Sequence, residues 1–445
     1  MSRRRRLRWG TGTLTTLALC AGAVGGAAGD DGSYAYAFAE DVRPVRGATA
    51  TGDAPRLAAD ATYRDSLGGG GRLVYRVDLA ADRHAYVSAV AVPGQGAAVS
   101  FADGLKVSLR DAGGVVCGAG ESRFGAAAFP RPLAAYAHRT LGTGAPSCQR
   151  SGPHYVVVER GSRGGAGAVP WALELRHVHE PRLRSTSPTG TWSGAAPTAP
   201  TAPGGPGGPA DGTDAGEAAG PSGATAPAGP ATAGSARERS GGSGFSDAPA
   251  LAGGLWTDRV EPGRSRFYRV PVDWGQRISA GVDLAGSPGG RGFVRGALSL
   301  ALYNPARGPV GGDDSLSYDG RRGSAVIDSL PPVRYENRFA PGPKESGMRF
   351  AGWYYLRVSL SPQVGPRFGD KPYGLTLRIG VSGTPGTAPP YDGPAGIFAV
   401  GREDGGAGPG DGAMRVVAAA GIGTGAALVV GLAVWTLLAR RRPAR

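Results

Sequence analysis

The sequence predicts an all-β protein with two antiparallel β-sandwich domains, a flexible linker between them and one C-terminal transmembrane helix. Three observations carry this prediction. The chain repeats itself across its middle, the apolar pattern inside each copy has a period of two, and the stretch between the copies lacks large apolar residues. With 445 residues, 79 of them Gly and 37 Pro, the chain exceeds one ordinary core and is rich enough in Gly and Pro for low-complexity segments.

The repeat is read from blocks that recur in one order. Asp53-Ala54-Pro55-Arg56-Leu57-Ala58 returns as Asp247-Ala248-Pro249-Ala250-Leu251-Ala252, and at a constant offset Tyr75-Arg76-Val77 returns as Tyr268-Arg269-Val270. Leu105, Val107 and Leu109 match Leu298, Leu300 and Leu302. Tyr155-Val156-Val157-Val158 faces Tyr355-Leu356-Arg357-Val358, and Trp171-Ala172-Leu173-Glu174-Leu175-Arg176 faces Tyr373-Gly374-Leu375-Thr376-Leu377-Arg378. Leu105, Val107 and Leu109 alternate with Lys106, Ser108 and Arg110, which is the pattern of a half-buried strand. Turn residues such as Glu261-Pro262-Gly263 punctuate the strands, and neither copy holds a useful amphipathic helical stretch. The copies are placed at 53–180 and 247–383.

The phrases Phe267-Tyr268-Arg269-Val270, Leu298-Ser299-Leu300-Ala301-Leu302-Tyr303-Asn304-Pro305 and Gly352-Trp353-Tyr354-Tyr355-Leu356-Arg357-Val358, in that order, resemble the bacterial pre-peptidase C-terminal (PPC) domain. That resemblance implies a jelly-roll-like sandwich and an accessory, non-catalytic module. No protease domain accompanies the copies here, so it implies no protease-linked role.

Between the copies, 193–244 contains no Val, Ile, Leu, Met, Phe, Trp or Tyr. Such a segment cannot bury enough apolar surface to offset its ordering entropy, so 181–246 reads as a flexible linker. A second flexible stalk is expected over 384–415.

The ends fix the expected compartment. Arg3 to Arg6 and Arg8 precede an uncharged stretch with small residues at Ala21-Gly22-Ala23 and Gly26-Ala27-Ala28, so 1–28 reads as a signal peptide, with Sec and twin-arginine export both open. Val416 to Ala439 carries no charge and as a helix is about 36 Å long, enough to span a bilayer. Arg440, Arg441, Arg442 and Arg445 follow, which puts a tail at 440–445 in the cytoplasm and the bulk outside. Gly421 and Gly425 have the spacing of a helix-packing GxxxG. Of the 49 basic residues all but Lys106, Lys344 and Lys371 are arginine, a high-GC bacterial composition. Nine of these arginines sit in the leader and tail, so the net charge of +14 is largely a topology signal. Nucleic-acid binding therefore loses its main support.

Few residues carry candidate chemistry. Cys20 leaves with the leader, and Cys117 with Cys148 forms an even pair in an exported chain, read as a disulfide. All five histidines lie in the first copy, and His177 and His179 share one side of a strand. Two ligands do not make a metal site unless His154 or Glu180 converges on them, so no metal is assigned. Asp313, Asp314 and Asp319 gather in a Gly/Ser stretch that reads as a solvated loop, and calcium binding there is left open. GxSxG, HExxH and Walker A motifs are all missing, as is a GxGxxG opening a helix, so neither nucleotide nor other cofactor is expected. Trp353 and Tyr355 point to one side of a strand and Tyr354 with Leu356 to the other; one set is core, and an exposed set would stack on a sugar ring.

The reading that follows is a non-enzymatic, single-pass envelope protein presenting two extracellular interaction modules to an envelope protein. A glycan-binding module for wall polymer is the alternative, and an accessory subunit of an envelope hydrolase a second one.

Overall fold

The computed structural model describes residues 36–94, 96–161, 169–184, 235–288 and 290–400. The first repeat contains β1 (Arg43–Pro44), β2 (Ala61–Leu67), β3 (Arg72–Leu79), β4 (Ala85–Val92), β5 (Gly104–Arg110), β6 (Val116–Arg123), β7 (Leu133–Arg139), β8 (Gly152–Gly161) and β9 (Trp171–His179). The second contains β10 (Arg237–Glu238), β11 (Gly254–Val260), β12 (Ser265–Val272), β13 (Arg277–Leu284), β14 (Val294–Tyr303), β15 (Asp314–Tyr318), β16 (Gly323–Ile327), β17 (Gly352–Leu360) and β18 (Tyr373–Ser382). Two one-turn helices, α1 (Pro343–Gly347) and α2 (Val364–Phe368), interrupt the second repeat.

Repeat 1 has a five-stranded sheet ordered β1-β2-β9-β4-β7 and a four-stranded sheet ordered β3-β8-β5-β6. Repeat 2 has β10-β11-β18-β13-β16 and β12-β17-β14-β15. Each strand number of the first repeat, raised by nine, gives the second. Pairing is antiparallel except where the short strands β1 and β10 lie parallel to β2 and β11.

The period-two pattern builds both cores. Tyr75, Val107, Leu109 and Val156 of one sheet meet Val87, Leu173 and Leu175 of the other in repeat 1. Tyr268, Leu300, Leu302 and Leu356 meet Val282, Leu375 and Leu377 in repeat 2. Alternate side chains of each strand thus fill the space between two sheets, as in a β-sandwich. One polar device is duplicated with them. Tyr75 Oη donates to Asp65 at 2.7 Å and Tyr268 Oη to Asp258 at 2.7 Å. The same carboxylates accept the amides of Gly47 and Gly241, at 2.7 and 2.8 Å. A Cβ on either glycine would lie 2.8 Å from the tyrosine ring, so the close approach requires glycine.

The two sandwiches are stacked. Side chains on the outer side of the repeat 1 five-stranded sheet, among them Val90, Val92, Ala134 and Ala172, form one buried cluster with Phe267, Ala301 and Tyr303 from the outer side of the repeat 2 four-stranded sheet. The result is four sheets in layers. The two repeats use different faces for the contact, so the packing is heterologous.

Three sequence boundaries change. The stretch 181–246, expected as linker, is ordered at both of its ends: β10 pairs with β11, Phe245 is buried, and Arg184 N donates to Pro390 O at 2.7 Å. Residues 235–244 lack apolar anchors and are held instead by backbone donation to carboxylates, with Gly244 N to Asp247 at 2.7 Å. Repeat 1 likewise begins before 53: β1 and the buried Tyr36 belong to it. The stalk expected over 384–415 is packed as far as Val400, with Tyr391 and Phe398 buried. Isolated aromatics in Gly/Pro-rich chain have no periodicity to reveal them. Residues 1–28, 416–439 with Gly421 and Gly425, and 440–445 lie outside the described residues. Among the described residues no helix is long and apolar enough to cross a membrane.

Candidate interaction surface

Three ion pairs fasten the seam between the repeats. Glu180, one residue past β9, accepts both guanidinium nitrogens of Arg338, at 2.7 and 2.9 Å, with both side chains wholly buried. Tyr86 Oη donates to the same carboxylate at 2.9 Å and Tyr391 Oη at 2.6 Å. Burial alone would raise the Glu180 carboxyl, but the hydrogen bonds and charge of Arg338 outweigh it and hold the group below its ordinary range. Glu174 of β9 pairs with Arg307, which sits in a tight turn at φ 61°. Arg131 of repeat 1 donates to Asp313 of repeat 2 at 3.1 Å, and Arg357 of β17 donates to the same Asp313 and to Pro132 O across the seam. Asp313 stays at the surface, its side chain 28% exposed, but its carboxylate faces two buried arginines, a setting for an ion pair and not for calcium.

Aromatic packing accompanies the charges. Tyr86 stacks near Tyr136 and meets Phe350 edge-on at 4.9 Å between ring centres. His84 accepts the Leu141 amide on Nδ1 at 2.9 Å, which leaves Nε2–H to donate to Tyr335 Oη at 3.1 Å. Burial, then the neighbouring Arg338, pushes the imidazole down to about 4. His138 falls to about 3, from burial and then Arg349. Both rings are neutral near pH 7.

The remaining sequence candidates fall as follows. Cys117 and Cys148 are joined in a disulfide tying β6 to the turn at Pro146–Gln149. His177 and His179 lie edge to face at 4.6 Å between ring centres, but Glu180 is committed to Arg338 and His154 Nδ1 lies 3.2 Å from Gly152 O. Among the described residues no three His, Cys, Asp or Glu are grouped to hold a metal. Tyr354 and Leu356 are core, as one arm of the aromatic alternative requires. Trp353 and Tyr355 point outward and are half-buried. The Arg269 guanidinium lies 4.4 Å over the Trp353 ring, and Tyr355 packs on Phe245 at 5.2 Å within the seam. Each ring thus has a neighbour packed against it and is partly exposed.

The outer faces of the stack remain free of the seam. On the repeat 1 four-stranded sheet, Arg72, Glu159, Lys106 and Glu121 follow one another across four strands in direct register, an alternating charge ladder. On the repeat 2 five-stranded sheet, Asp283 accepts from Arg322 at 2.7 Å and from Arg378 and Ser324, beside a cleft of about 490 Å³ lined by Thr257, Arg259 and Thr376. A second cleft of about 430 Å³ opens at one end of the seam, walled by Pro93, Pro130, Pro132, Pro262, Pro362 and Pro372.

The seam had a signal in the sequence. Ala85 to Val92 is apolar at seven of eight positions and buried at all of them, the mark of a strand covered on both faces. Phe267 and Tyr303 stand where the alternation calls for polar residues. The partner residues Arg307 and Arg338 carried no such mark.

No protein-family model matches the chain, and no curated protein matches it in sequence. Among solved structures it is similar to a periplasmic inhibitor of g-type lysozyme from Escherichia coli, at 11% identity over 30% of this chain and 99% of that one, TM-score 0.15. It is similar to a tandem CBM22 pair from Paenibacillus barcinonensis Xyn10C at 10% identity, over 74% and 93% of the chains, TM-score 0.19. A CUB1-EGF-CUB2 segment of human MASP-1/3 matches at 6% identity over 72% and 99%, TM-score 0.15. Likenesses this distant carry no functional argument.

Proposed function

We propose that this chain is a non-catalytic protein of the cell envelope, anchored by residues 416–439, that presents two stacked jelly-roll-like sandwiches as one rigid unit to an envelope protein. The observation behind this reading is the use of its buried charges. The buried Glu180 and Glu174 are spent on Arg338 and Arg307 across the seam, and Asp313 on the buried Arg131 across it and Arg357 of its own repeat, instead of converging on an open cleft, where acid–base chemistry would need them. The resemblance of the strand phrases to the PPC domain points the same way, toward an accessory module. Partner binding is left to the two outer faces.

Cross-linking from Lys106 and from the repeat 2 outer sheet in intact envelopes tests this reading. One partner, lost when Arg72 and Lys106 are reversed to Glu or when Arg322 and Arg378 are, supports it; capture unaffected by both reversals overturns it. The glycan alternative is tested on the same protein. Retention on isolated wall polymer that Trp353→Ala abolishes, with an unchanged thermal transition, would replace the scaffold reading. The anchor has its own test: deleting everything after Gly412 releases soluble protein if 416–439 spans the membrane, and leaves it in the membrane fraction if the anchor lies elsewhere.

A further inference from the structure

The chain does not leave repeat 2 at the end of β18. It turns back and runs along the seam. Gly386 N donates to Trp274 O at 2.6 Å, and Asp392 N donates to Arg182 O at 2.8 Å while its carboxylate takes the Arg182 guanidinium at 2.6 Å. Tyr391 then inserts its hydroxyl against Glu180, the carboxylate that already holds Arg338. Seven residues later Phe398 is 1% exposed, 4.6 Å from Phe350 of repeat 2 and 5.9 Å from Tyr86 of repeat 1 between ring centres. The approach is close enough that a Cβ on Gly352, at φ 134°, would lie 2.3 Å from Ile397 O.

We infer that the seam is a peptide-binding trough and that residues 384–400 occupy it in cis as a separable clasp, so that the joint between the repeats is set by whether this segment is seated. Three features carry the assignment. The segment has almost no regular structure of its own, only the turn at Gly396–Phe398, so its order comes from what it lies on. Its two anchors reach both repeats at once, Tyr391 through the Glu180–Arg338 pair and Phe398 through the Tyr86–Phe350 contact. Three of its backbone groups, Gly386 N, Pro390 O and Asp392 N, are met by Trp274, Arg184 and Arg182, with one antiparallel bridge between Leu183 and Tyr391, a fragment of the strand-addition mode of peptide recognition. The occupant is thus an extended segment with two aromatic side chains seven positions apart. The inference stands without the anchor reading. If 416–439 does span the membrane, tension on the anchor acts directly on the clasp.

The test inserts a site-specific protease site between Gly383 and Thr384 of the detergent-solubilised full chain. Two readouts follow the cut: co-elution of the C-terminal piece with the rest, and amide exchange at the seam strands β4, β7 and β12 against core amides of β5 and β18. The expected result is a cut piece that stays bound, and is lost when Tyr391→Phe and Phe398→Ala are combined. In that double variant seam exchange should rise at least tenfold while core exchange holds. A wild-type piece that dissociates on cutting would overturn the inference, as would seam protection unchanged in the double variant. Core amides losing protection in parallel would overturn it too, by making the segment part of the sandwich and not a clasp. The inference and the proposed function fail separately, because envelope cross-linking reads the outer faces alone.

Discussion

Lys106 in repeat 1 and Ser299 in repeat 2 stand at the same place on the same strand of two copies of one sandwich. Each pairs in register with the central strand of its four-stranded sheet, Lys106 with Glu159 and Ser299 with Ser359. Across that strand the next partners are Arg72 and Ser265. Where repeat 1 carries a charged row in solvent, repeat 2 carries three buried serines, two of them hydrogen-bonded to each other at 2.7 Å. Farther along the same faces, Arg110 and the buried Val74 are replaced by Tyr303 and Phe267, both in the seam. The five-stranded sheets show the reverse. Val90, covered, corresponds to Asp283, which pairs with Arg322 and Arg378 at the surface. Duplication alone would give two modules each with the same two outer faces. The substitutions made one face of each apolar enough to meet and kept the other two charged.

The largest expected effect comes from removing the group on which both repeats and the C-terminal segment converge. Glu180→Ala leaves the buried Arg338 without a carboxylate and should cost about 3 to 5 kcal/mol in denaturant unfolding; a loss under about 1 kcal/mol would mean the repeats barely depend on the seam. Writing repeat 1 into repeat 2 should be nearly as damaging. Tyr303→Arg puts a third cation beside Arg357 and Arg131 in the seam and should cost about 3 kcal/mol.

Acid probes the same seam. His84 and His138 are held below their unfolded value of about 6.5, so the unfolded chain binds more protons. Their contribution is fully present above pH 6.5 and is lost as pH falls toward about 4 for His84 and about 3 for His138. Each contributes on the order of 3 kcal/mol across that window. Urea midpoints between pH 7 and pH 4 should fall, and a flat profile would contradict the neutral, buried rings.

Smaller effects sharpen what the copies share. Tyr75→Phe and Tyr268→Phe each delete one hydrogen bond to the duplicated aspartate and should cost about 1 kcal/mol apiece; a marked inequality would mean the shared device is used differently. The smallest change is the mirror of the earlier one. Arg110→Tyr, on the solvent face, should stay within about 0.5 kcal/mol, and calorimetry on both proteins would expose any hidden cover on that sheet.

Much of the sandwich was legible because period two is a local signal. Leu105, Val107 and Leu109 report their own burial without reference to any other strand, and the recurring blocks carry the same report twice. The pairing of Cys117 with Cys148 followed from an even count in a chain whose first residues read as a signal peptide. The segments whose order the sequence pattern does not show, 235–246 and 384–400, owe it to single residues placed far apart. Phe245 packs on Tyr303 and Tyr355, and Phe398 on Phe350 and Tyr86. Such contacts leave no pattern within a window of chain.

The sequence by itself determined that this protein is built twice from alternating strands, and that one copy holds a disulfide which the other lacks. Only the tertiary structure decided which two of the four outer faces meet. That choice depends on complementarity between groups with no local relation: Glu180 finds Arg338 at a separation of 158 residues, and Arg357 finds Pro132 at 225. A strand's alternation states that a face is covered, but the cover is chosen by shape and charge brought together from distant parts of the chain.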